Sequence, residues 1–143
     1  PDGFTFYTNA HSRKGEEIRA NMHAALLFHW KSLRRQIRIE GPLSQVADAT
    51  ADEYFHSRAR ESQLGAVASD QSRPLEDRAV FVDRYRAAEK RFEGQEVDRP
   101  AYWTGFTLVP ERIEFWLNRD NRLHDRRVFT REGDGWSSTL LYP

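Results

Sequence analysis

The 143-residue sequence predicts a mainly β fold, a small antiparallel barrel with helices inserted between its strands. Many short segments alternate apolar and polar residues as strands do, and Pro, Gly or polar runs separate them. Between these segments lie stretches with helix start signals or a helical spacing of apolar residues. A hydrophobic content of 38% is enough for one core, so we expect a single domain over residues 1–143.

Composition excludes several classes of function. Lys and Arg together number 22, as do Asp and Glu, so there is no overall attraction to nucleic acid or anionic membranes, and any anion site must be local. The absence of cysteine excludes disulfides and thiolate chemistry, and no apolar run approaches the length that spans a membrane. We therefore expect a soluble, cytoplasmic protein. The histidine spacing suggests no metal site at His11, His23, His29 or His56.

The first strand and the first helix are signalled near the start of the chain. Residues 3–9 alternate polar and aromatic side chains, which indicates a strand. Ser12 is suited to cap a helix that runs to about Ala20. Arg13 and Lys14 in the first turn of that helix oppose its dipole, so we expect an anion to stabilise them.

A second hairpin is predicted next. Residues 24–30 form an apolar run of strand length, and residues 34–39 alternate again, so the chain should turn near Lys31–Ser32. Gly41–Pro42 should bend or interrupt the second strand, which continues toward Val46.

The middle of the chain is predicted to be helical. Thr50–Glu53 has the capping-box pattern, so a helix should begin there and carry Arg58. A short helix is expected over 61–67. The clearest helix is 75–92, where apolar residues form one stripe and Gly94 ends the pattern.

The last third of the chain alternates again and predicts strands at 102–109, 112–118, 122–130 and 136–142. On the third of these strands, period-2 alternation would send Arg122, His124 and Arg126 to one face. Two guanidiniums and an imidazole suit an anionic substrate and include one ring that changes charge near neutral pH. The alternative is a solvated face of a surface hairpin.

Several short motifs occur in an order and at a spacing that resemble the pyridoxamine 5′-phosphate oxidase family. They are Phe6–Asn9, Ser12–Lys14, Tyr54–Arg58, Ser62–Gly65, Gln71–Ser72, Glu114–Trp116, Arg122–Arg126 and the ending 136–143. The resemblance implies an FMN-binding split β-barrel of antiparallel Greek-key type that acts as a homodimer. It also implies oxidation of pyridoxamine 5′-phosphate or pyridoxine 5′-phosphate to pyridoxal 5′-phosphate, with O2 as acceptor and H2O2 released.

The resemblance also implies a role for individual residues. The residues that would contact FMN are Tyr7, Thr8, Arg13, Lys14, Gln36, Gln71, Ser72, Trp116 and Arg126. Tyr54, Arg58 and Ser62 would hold the substrate phosphate, and their four-residue spacing places them on one helical face if the helix is unbroken. Arg122 and His124 would face the pyridine ring as the catalytic pair. From the residues alone, each of these positions also admits an ordinary role as a solvated polar group or a core aromatic.

One departure from the family pattern concerns the start of the chain. Pro1–Phe4 suggests a hairpin turn, and the family has two further strands before it, which bear an arginine and a lysine for FMN and substrate. We therefore expect the domain to lack its N-terminal strands.

Two alternative functions are a non-catalytic flavin-binding or vitamer-binding module and a related split-barrel flavin reductase. The segment Arg122–Arg126 argues against a passive carrier, which needs no second anion site. Tyr54, Arg58 and Ser62 argue against the reductase, because they suit a small phosphorylated substrate.

Overall fold

The computed structural model describes residues 3–143, and the chain divides into two compact units. Unit 1 contains residues 3–4, Met22–Ser44 and Thr107–Pro143, and unit 2 contains Thr5–Asn21 and Gln45–Phe106. The hairpin turn predicted at the start of the chain involves Pro1 and Asp2, which lie outside the described residues. No helix within 3–143 has the length and apolar character needed to cross a membrane.

Seven strands and four α-helices make up the described chain. In order they are β1 (Phe4–Asn9), α1 (Arg13–Ala20), β2 (His23–Trp30), β3 (Arg35–Gln45), α2 (Asp48–Ser57), α3 (Arg60–Ala68), α4 (Arg78–Arg91), β4 (Trp103–Leu108), β5 (Arg112–Leu117), β6 (Asp125–Glu132) and β7 (Gly135–Leu141). All the predicted elements are present, and the differences are at their ends.

Unit 1 is an antiparallel sheet in the order β2-β3-β5-β6-β7. Residues that pair directly across an antiparallel ladder point to the same side of the sheet, so the register defines two faces. One face carries Ile39, Ile113 and Phe129, which pair in one row. Ile39, which lies on β3 at one end of this row, is 3% exposed. The other face carries charged residues and is described with the site.

β3 runs through Gly41–Pro42 to Gln45, so the strand is not interrupted there and the predicted continuation toward Val46 is confirmed. Pro42 pairs with His23 in the ladder, and its carbonyl accepts a hydrogen bond from the Val109 backbone N–H at 3.0 Å. A Cβ at Gly41 would overlap the Val109 carbonyl oxygen. Glycine is therefore required here for a close approach of two backbones.

Unit 2 has a core formed by helices and by the start of β4. Its buried members are Phe55, Leu64, Ala88, Phe92, Val97 and Trp103. The apolar stripe predicted on α4 is confirmed, because Ala88 and Phe92 lie in this core and Tyr85 packs against it. Within unit 2, the Ala10 backbone N–H donates to the Tyr102 carbonyl at 2.6 Å, at the ends of β1 and β4.

Two predicted helix starts are wrong. α4 begins at Arg78 because the Asp77 carboxylate accepts from the Ala79 backbone N–H at 2.7 Å and caps the helix. α2 begins at Asp48, so Thr50 lies inside the helix and forms no capping box. The preceding residue, Ala47, has extended backbone angles and offers no side-chain cap.

Candidate active site

A cavity of about 510 Å³ in unit 2 brings together residues from two of the predicted sets. The residues that would contact FMN and that line this cavity are Tyr7, Thr8 and Gln71. The residues that would hold the substrate phosphate, Tyr54, Arg58 and Ser62, line the same cavity. Both sets therefore meet within one compact unit.

The guanidinium of Arg58 is the main cationic feature of the cavity. Its carbon atom lies 5.1 Å from the centre of the Trp103 ring and 5.9 Å from that of Phe55, so aromatic rings cover the charge. Its Nη1 atom is buried and has no hydrogen-bond partner among residues 3–143. A buried charged donor without a partner costs more than about 1–3 kcal/mol, so the site is suited to an anionic ligand.

Thr8 provides a second unpaired polar atom in the same cavity. The residue is 4% exposed, and its Oγ1 hydroxyl has no hydrogen-bond partner within the described chain. A buried hydroxyl is normally hydrogen-bonded. Thr8 and Arg58 therefore both lack a partner that a bound polar ligand could supply.

A stack of aromatic rings forms one wall of the cavity. The rings of Tyr7 and Tyr54 lie 3.9 Å apart at 10°, and Trp103 lies 5.3 Å from Tyr7 on a nearly parallel plane. A Cβ at Gly105 would be 2.7 Å from the Tyr7 ring, so this glycine admits the stack. Burial, followed by the neighbouring Tyr54 and Glu53, raises the pKa of Tyr7, and its hydroxyl keeps its proton at neutral pH.

The predicted helical face of Tyr54, Arg58 and Ser62 is wrong in its geometry. α2 ends at Ser57, Arg58 has extended backbone angles of −77° and 153°, and α3 begins two residues later. The buried amide of Gln63 donates to the Arg58 carbonyl at 2.8 Å and to the His56 carbonyl at 3.3 Å. The three predicted residues reach the cavity because the helix is broken between them.

Arg99 joins the start of α2 to the start of β4. Its Nε lies 2.5 Å from Asp52 and its Nη2 lies 3.0 Å from Asp48, while Nη1 donates to the Trp103 carbonyl at 2.7 Å. The hydrogen bond to Asp52 is the main cause that raises the pKa of Arg99. This residue fixes Trp103 relative to the helix that carries Tyr54.

The helix α1 starts as predicted. The Ser12 hydroxyl donates to the Asn9 carbonyl at 2.6 Å and accepts from the Gly15 N–H at 3.2 Å. Arg13 is exposed and pairs with Glu17 at 2.8 Å, so a side chain already neutralises its charge. The Lys14 ammonium lies 5.5 Å from the centre of the Phe6 ring. Neither cation lines the cavity.

The remaining predicted FMN residues of unit 2 lie on the loop after α3. The Gln71 side-chain oxygen accepts from the Asn9 backbone N–H at 3.4 Å, at the end of β1. Ser72 has a positive φ of 70°, which marks a tight turn directly after Gln71.

In unit 1 the register aligns three of the predicted FMN residues. Gln36 on β3 pairs with Trp116 on β5, and Trp116 pairs with Arg126 on β6. Direct partners share one face, so an amide, an indole and a guanidinium stand side by side. All three line a depression of about 720 Å³ on this unit.

Glu114 anchors Arg126 on the charged face of the sheet. This carboxylate is 5% exposed, and it lies 2.7 Å from the Arg126 Nε and 3.1 Å from the Arg38 Nη2. The hydrogen bond from Arg126, aided by the charges of Arg126, Arg38 and Arg112, lowers the pKa of Glu114 against the effect of burial. Arg126 also donates from Nη1 to the Tyr142 carbonyl at 3.2 Å.

The predicted strand face of Arg122, His124 and Arg126 is wrong at its first two positions. β6 begins at Asp125, and Arg122 lies in a 3₁₀ turn with a positive φ of 62° and an exposed side chain. His124 nevertheless reaches the aligned row, because its ring lies 4.7 Å from that of Trp116.

The protonation pattern of His124 follows from one hydrogen bond. Its Nδ1 accepts from the Arg119 backbone N–H at 3.2 Å, so the neutral ring carries its proton on Nε2. The neutral imidazole therefore presents a donor at its other end. Arg119 also pairs with Asp125 at 2.8 Å, which steadies this turn.

Sequence reasoning missed several residues of the unit 2 cavity, namely Asn9, Gly65, Ala66, Ser69 and Trp103. Trp103 could have been expected, because it lies in an alternating segment and large aromatics on such strands are usually half-buried. Asn9 ends β1, whereas Gly65 and Ala66 lie on α3 and Ser69 follows it. Asn9 and Gly65 belong to motifs of the family resemblance, but no role was assigned to them.

Comparison with known proteins identifies the family. The family model described as pyridoxamine 5′-phosphate oxidase matches residues 1–92, and the one described as the pyridoxine 5′-phosphate oxidase C-terminal dimerisation region matches residues 103–143. The chain belongs to the pyridoxamine 5′-phosphate oxidase family. The resemblance inferred from the sequence motifs is thereby confirmed.

Similar curated proteins support this assignment. A pyridoxine/pyridoxamine 5′-phosphate oxidase of Erythrobacter litoralis is 76% identical and matches 100% of this chain, which covers 69% of that protein. The protein of the same name from Gluconobacter oxydans is 61% identical over 99% of this chain and 70% of its own length.

Two solved structures share the fold. PhzG from Burkholderia lata, in complex with tetrahydrophenazine-1-carboxylic acid, matches with a TM-score of 0.90 and 30% identity over 99% of this chain and 69% of its own. A pyridoxamine 5′-phosphate oxidase-related, FMN-binding protein of Nostoc punctiforme matches with a TM-score of 0.71 at 16% identity, over 97% of this chain and 71% of its own. The predicted fold class, mainly β with inserted helices and of the FMN-binding split-barrel type, is confirmed.

Proposed function

We propose that this chain catalyses the FMN-dependent oxidation of pyridoxamine 5′-phosphate or pyridoxine 5′-phosphate to pyridoxal 5′-phosphate. In this proposal O2 is the acceptor and H2O2 is released. The observation that carries it is Arg58, which lines a cavity in a chain of this family and has a buried guanidinium nitrogen without a hydrogen-bond partner within residues 3–143. Such a group suits the phosphate that both substrates share.

The substrate phosphate would be held by groups of unit 2. Arg58 supplies the charge, and Ser62 and Tyr54 supply hydroxyl donors that line the same cavity. Trp103 and Phe55 cover the guanidinium and keep it partly out of water, which strengthens its attraction to an anion. These contacts orient the substrate from its phosphate end.

The residues present fit FMN. The Thr8 hydroxyl is unpaired, and Tyr7 and Gln71 line the cavity with it, while unit 1 offers the row of Gln36, Trp116 and Arg126. In that site FMN would supply the redox chemistry, as hydride acceptor for the substrate and electron donor to O2. The protein's own part is to bind, orient and exclude water.

The FMN phosphate is assigned to Arg13, Lys14 and the start of α1 at Ser12. Arg13 would exchange its exposed pair with Glu17 for a phosphate, which costs little because such surface pairs contribute about 0–1 kcal/mol. The Ser12-capped start of α1 adds backbone N–H groups to this anion site.

Arg122 and His124 are assigned to the reacting end of the substrate. His124 presents a donor at Nε2, because Nδ1 is already engaged by the Arg119 backbone. This geometry favours holding the pyridine substituents over accepting a proton from them. The contact of His124 with Trp116 would keep the ring beside a residue assigned to FMN.

The function is tested by turnover. Purified protein with bound flavin should consume O2 and release peroxide on addition of pyridoxamine 5′-phosphate, and pyridoxal 5′-phosphate should form in equal amount. Protein that shows a flavin spectrum and releases no peroxide would be the passive binding module. If the reduced flavin is reoxidised by another electron acceptor and not by O2, the split-barrel reductase would be favoured.

A further inference from the structure

One glycine in the unit 2 cavity has no explanation in the fold. Gly65 lies in the interior of α3, where glycine is the least favourable residue apart from proline. Its φ is not positive, since the only glycines with a positive φ among residues 3–143 are Gly94 and Gly133. The backbone conformation therefore gives no reason for a glycine at this position.

Packing gives no reason either. A Cβ at Gly105 would approach the Tyr7 ring, and one at Gly41 would overlap a carbonyl oxygen, so those glycines make room for their neighbours. A Cβ at Gly65 would meet no atom within 4 Å. The space next to Gly65 is open, and it belongs to the cavity that Gly65 lines.

The face of α3 that lines the cavity is built only from small residues. They are Ser62, Gly65 and Ala66, at the helical spacing of one face, and Ser69 lines the cavity directly after the helix. Two independent observations point to a ligand in this cavity. Arg58, assigned above to the substrate phosphate, lines it and has a buried guanidinium nitrogen without a hydrogen-bond partner within residues 3–143. Thr8 also lines it, is 4% exposed and has an unpaired hydroxyl. The room along α3 is therefore room for that ligand.

We propose that Gly65 is a specificity-determining residue, whose missing side chain leaves space for the planar ring of the ligand bound at Arg58. This inference rests on the proposed function for the identity of the ligand, a phosphorylated pyridine. Gly65 follows Ser62 by one helical turn, a rise of about 4.5 Å. That rise is comparable to the distance from the phosphorus atom to the pyridine ring, which are joined by one oxygen and one methylene group. A phosphate held at Arg58 and Ser62 thus brings the ring to the bare backbone at Gly65.

The test compares a ligand that has the ring with one that has only the phosphate. The first probe is 4-deoxypyridoxine 5′-phosphate, which lacks the oxidisable group, and the second is inorganic phosphate. Calorimetry on the flavin-loaded protein gives the Kd of each probe for the parent, Gly65→Ala and Gly65→Leu. Ala87→Leu, on the exposed side of α4, controls for adding a large side chain to a helix.

We expect the Kd of the pyridine probe to rise about tenfold in Gly65→Ala and further in Gly65→Leu. One extra methyl group in a binding pocket typically has an effect of about this size. The Kd of inorganic phosphate should change less than twofold in both variants. The melting temperature of Gly65→Ala should stay the same or rise, since alanine favours the helix. Ala87→Leu should leave both affinities unchanged.

Three results would overturn the inference. Unchanged affinity of Gly65→Leu for the pyridine probe would show that the ring lies elsewhere. An equal loss of affinity for both probes would mean that the substitution disturbs phosphate binding or the fold, and not the space for the ring. Loss of the parent's oligomeric state on size-exclusion chromatography would make Gly65 an interface residue. If the parent itself does not bind the pyridine probe, the proposed function fails and this inference fails with it.

Discussion

Thr8 carries a buried hydroxyl with no hydrogen-bond partner in the described chain. Replacing it by the isosteric valine should raise the free energy of unfolding of the flavin-free protein by about 1 kcal/mol, because an unsatisfied polar group is removed. The same change should weaken ligand binding. Chemical denaturation and flavin titration measure the two effects.

Thr104 provides a matched control on the next strand of the unit. It is 2% exposed, but its hydroxyl accepts from the Gln45 side chain at 3.3 Å. Thr104→Val should therefore lower the free energy of unfolding by about 1 kcal/mol and leave flavin binding unchanged. If both variants shift stability in the same direction, the Thr8 hydroxyl has a partner and the account of the cavity is wrong.

Arg122 and His124 should act on turnover more than on affinity. Their proposed role is to hold the reacting end of the substrate, so alanine at either position should lower kcat by about 10- to 1,000-fold. FMN content should stay normal, which visible absorbance checks. Because His124 is held through Nδ1, His124→Gln should retain more activity than His124→Ala. Parental kcat in both alanine variants would mean that this turn is only a solvated surface.

At the scale of elements, Glu114 links β3, β5 and β6 through Arg38, Arg112 and Arg126. Its pKa in the folded chain is depressed, so the ionised carboxylate stabilises the fold above the unfolded pKa, and this contribution is lost as the pH falls through the folded pKa. The free energy of unfolding should therefore decline below the ordinary glutamate value of 4.5.

Glu114→Gln should lower the free energy of unfolding by about 1–3 kcal/mol at neutral pH, since buried charge-assisted hydrogen bonds are lost. It should also make the decline below pH 4.5 shallower than in the parent, because the shifted group is gone. Urea denaturation at several pH values measures both. Glu132→Gln, at the exposed end of β6, is the control. A parallel pH dependence in Glu114→Gln and parent would contradict the account.

The elements were largely predictable because their patterns are local. Ser12 is followed by a clear helical pattern, and its cap is confirmed. Thr50–Glu53 has the same kind of pattern, but the helix begins two residues earlier, at Asp48, which pairs with Arg99 together with Asp52 one turn later. Two separate helices were predicted here, but the position of the break at Arg58 was not, since it depends on the Gln63 amide that holds the carbonyls at the end of α2.

At the scale of the whole molecule, the candidate site came from the family resemblance and not from spacing. Gln36, Trp116 and Arg126 are far apart in sequence, and only the strand register places them in one row. Alternation within one strand says nothing about which residues of other strands lie opposite. The same limit explains the error at Arg122, where a positive φ replaces the extended strand that alternation assumed.

The homodimer that the family resemblance implies would cover exposed apolar surface of unit 1. Leu140 is 67% exposed, Leu33 58% and Phe115 44%, and all three line the depression on this unit. The segment that contains Phe115 and Leu140 matches the dimerisation region of the family. We expect a dimer in sedimentation, and dilution should release FMN together with dissociation. Leu140→Glu should weaken the dimer, and a monomer with stoichiometric FMN would refute the proposal.

The central claim is that the unpaired guanidinium of Arg58 binds the phosphate of the substrate. The most direct measurement is a cycle of KM values for pyridoxamine 5′-phosphate and unphosphorylated pyridoxamine, in the parent and in Arg58→Ala. We predict that Arg58→Ala raises KM for the phosphorylated substrate by about 10- to 150-fold, equivalent to roughly 1.5–3 kcal/mol, with kcat changed much less. The KM for unphosphorylated pyridoxamine should stay within about twofold of the parental value. An equal rise for both substrates, or no rise for either, would contradict the account.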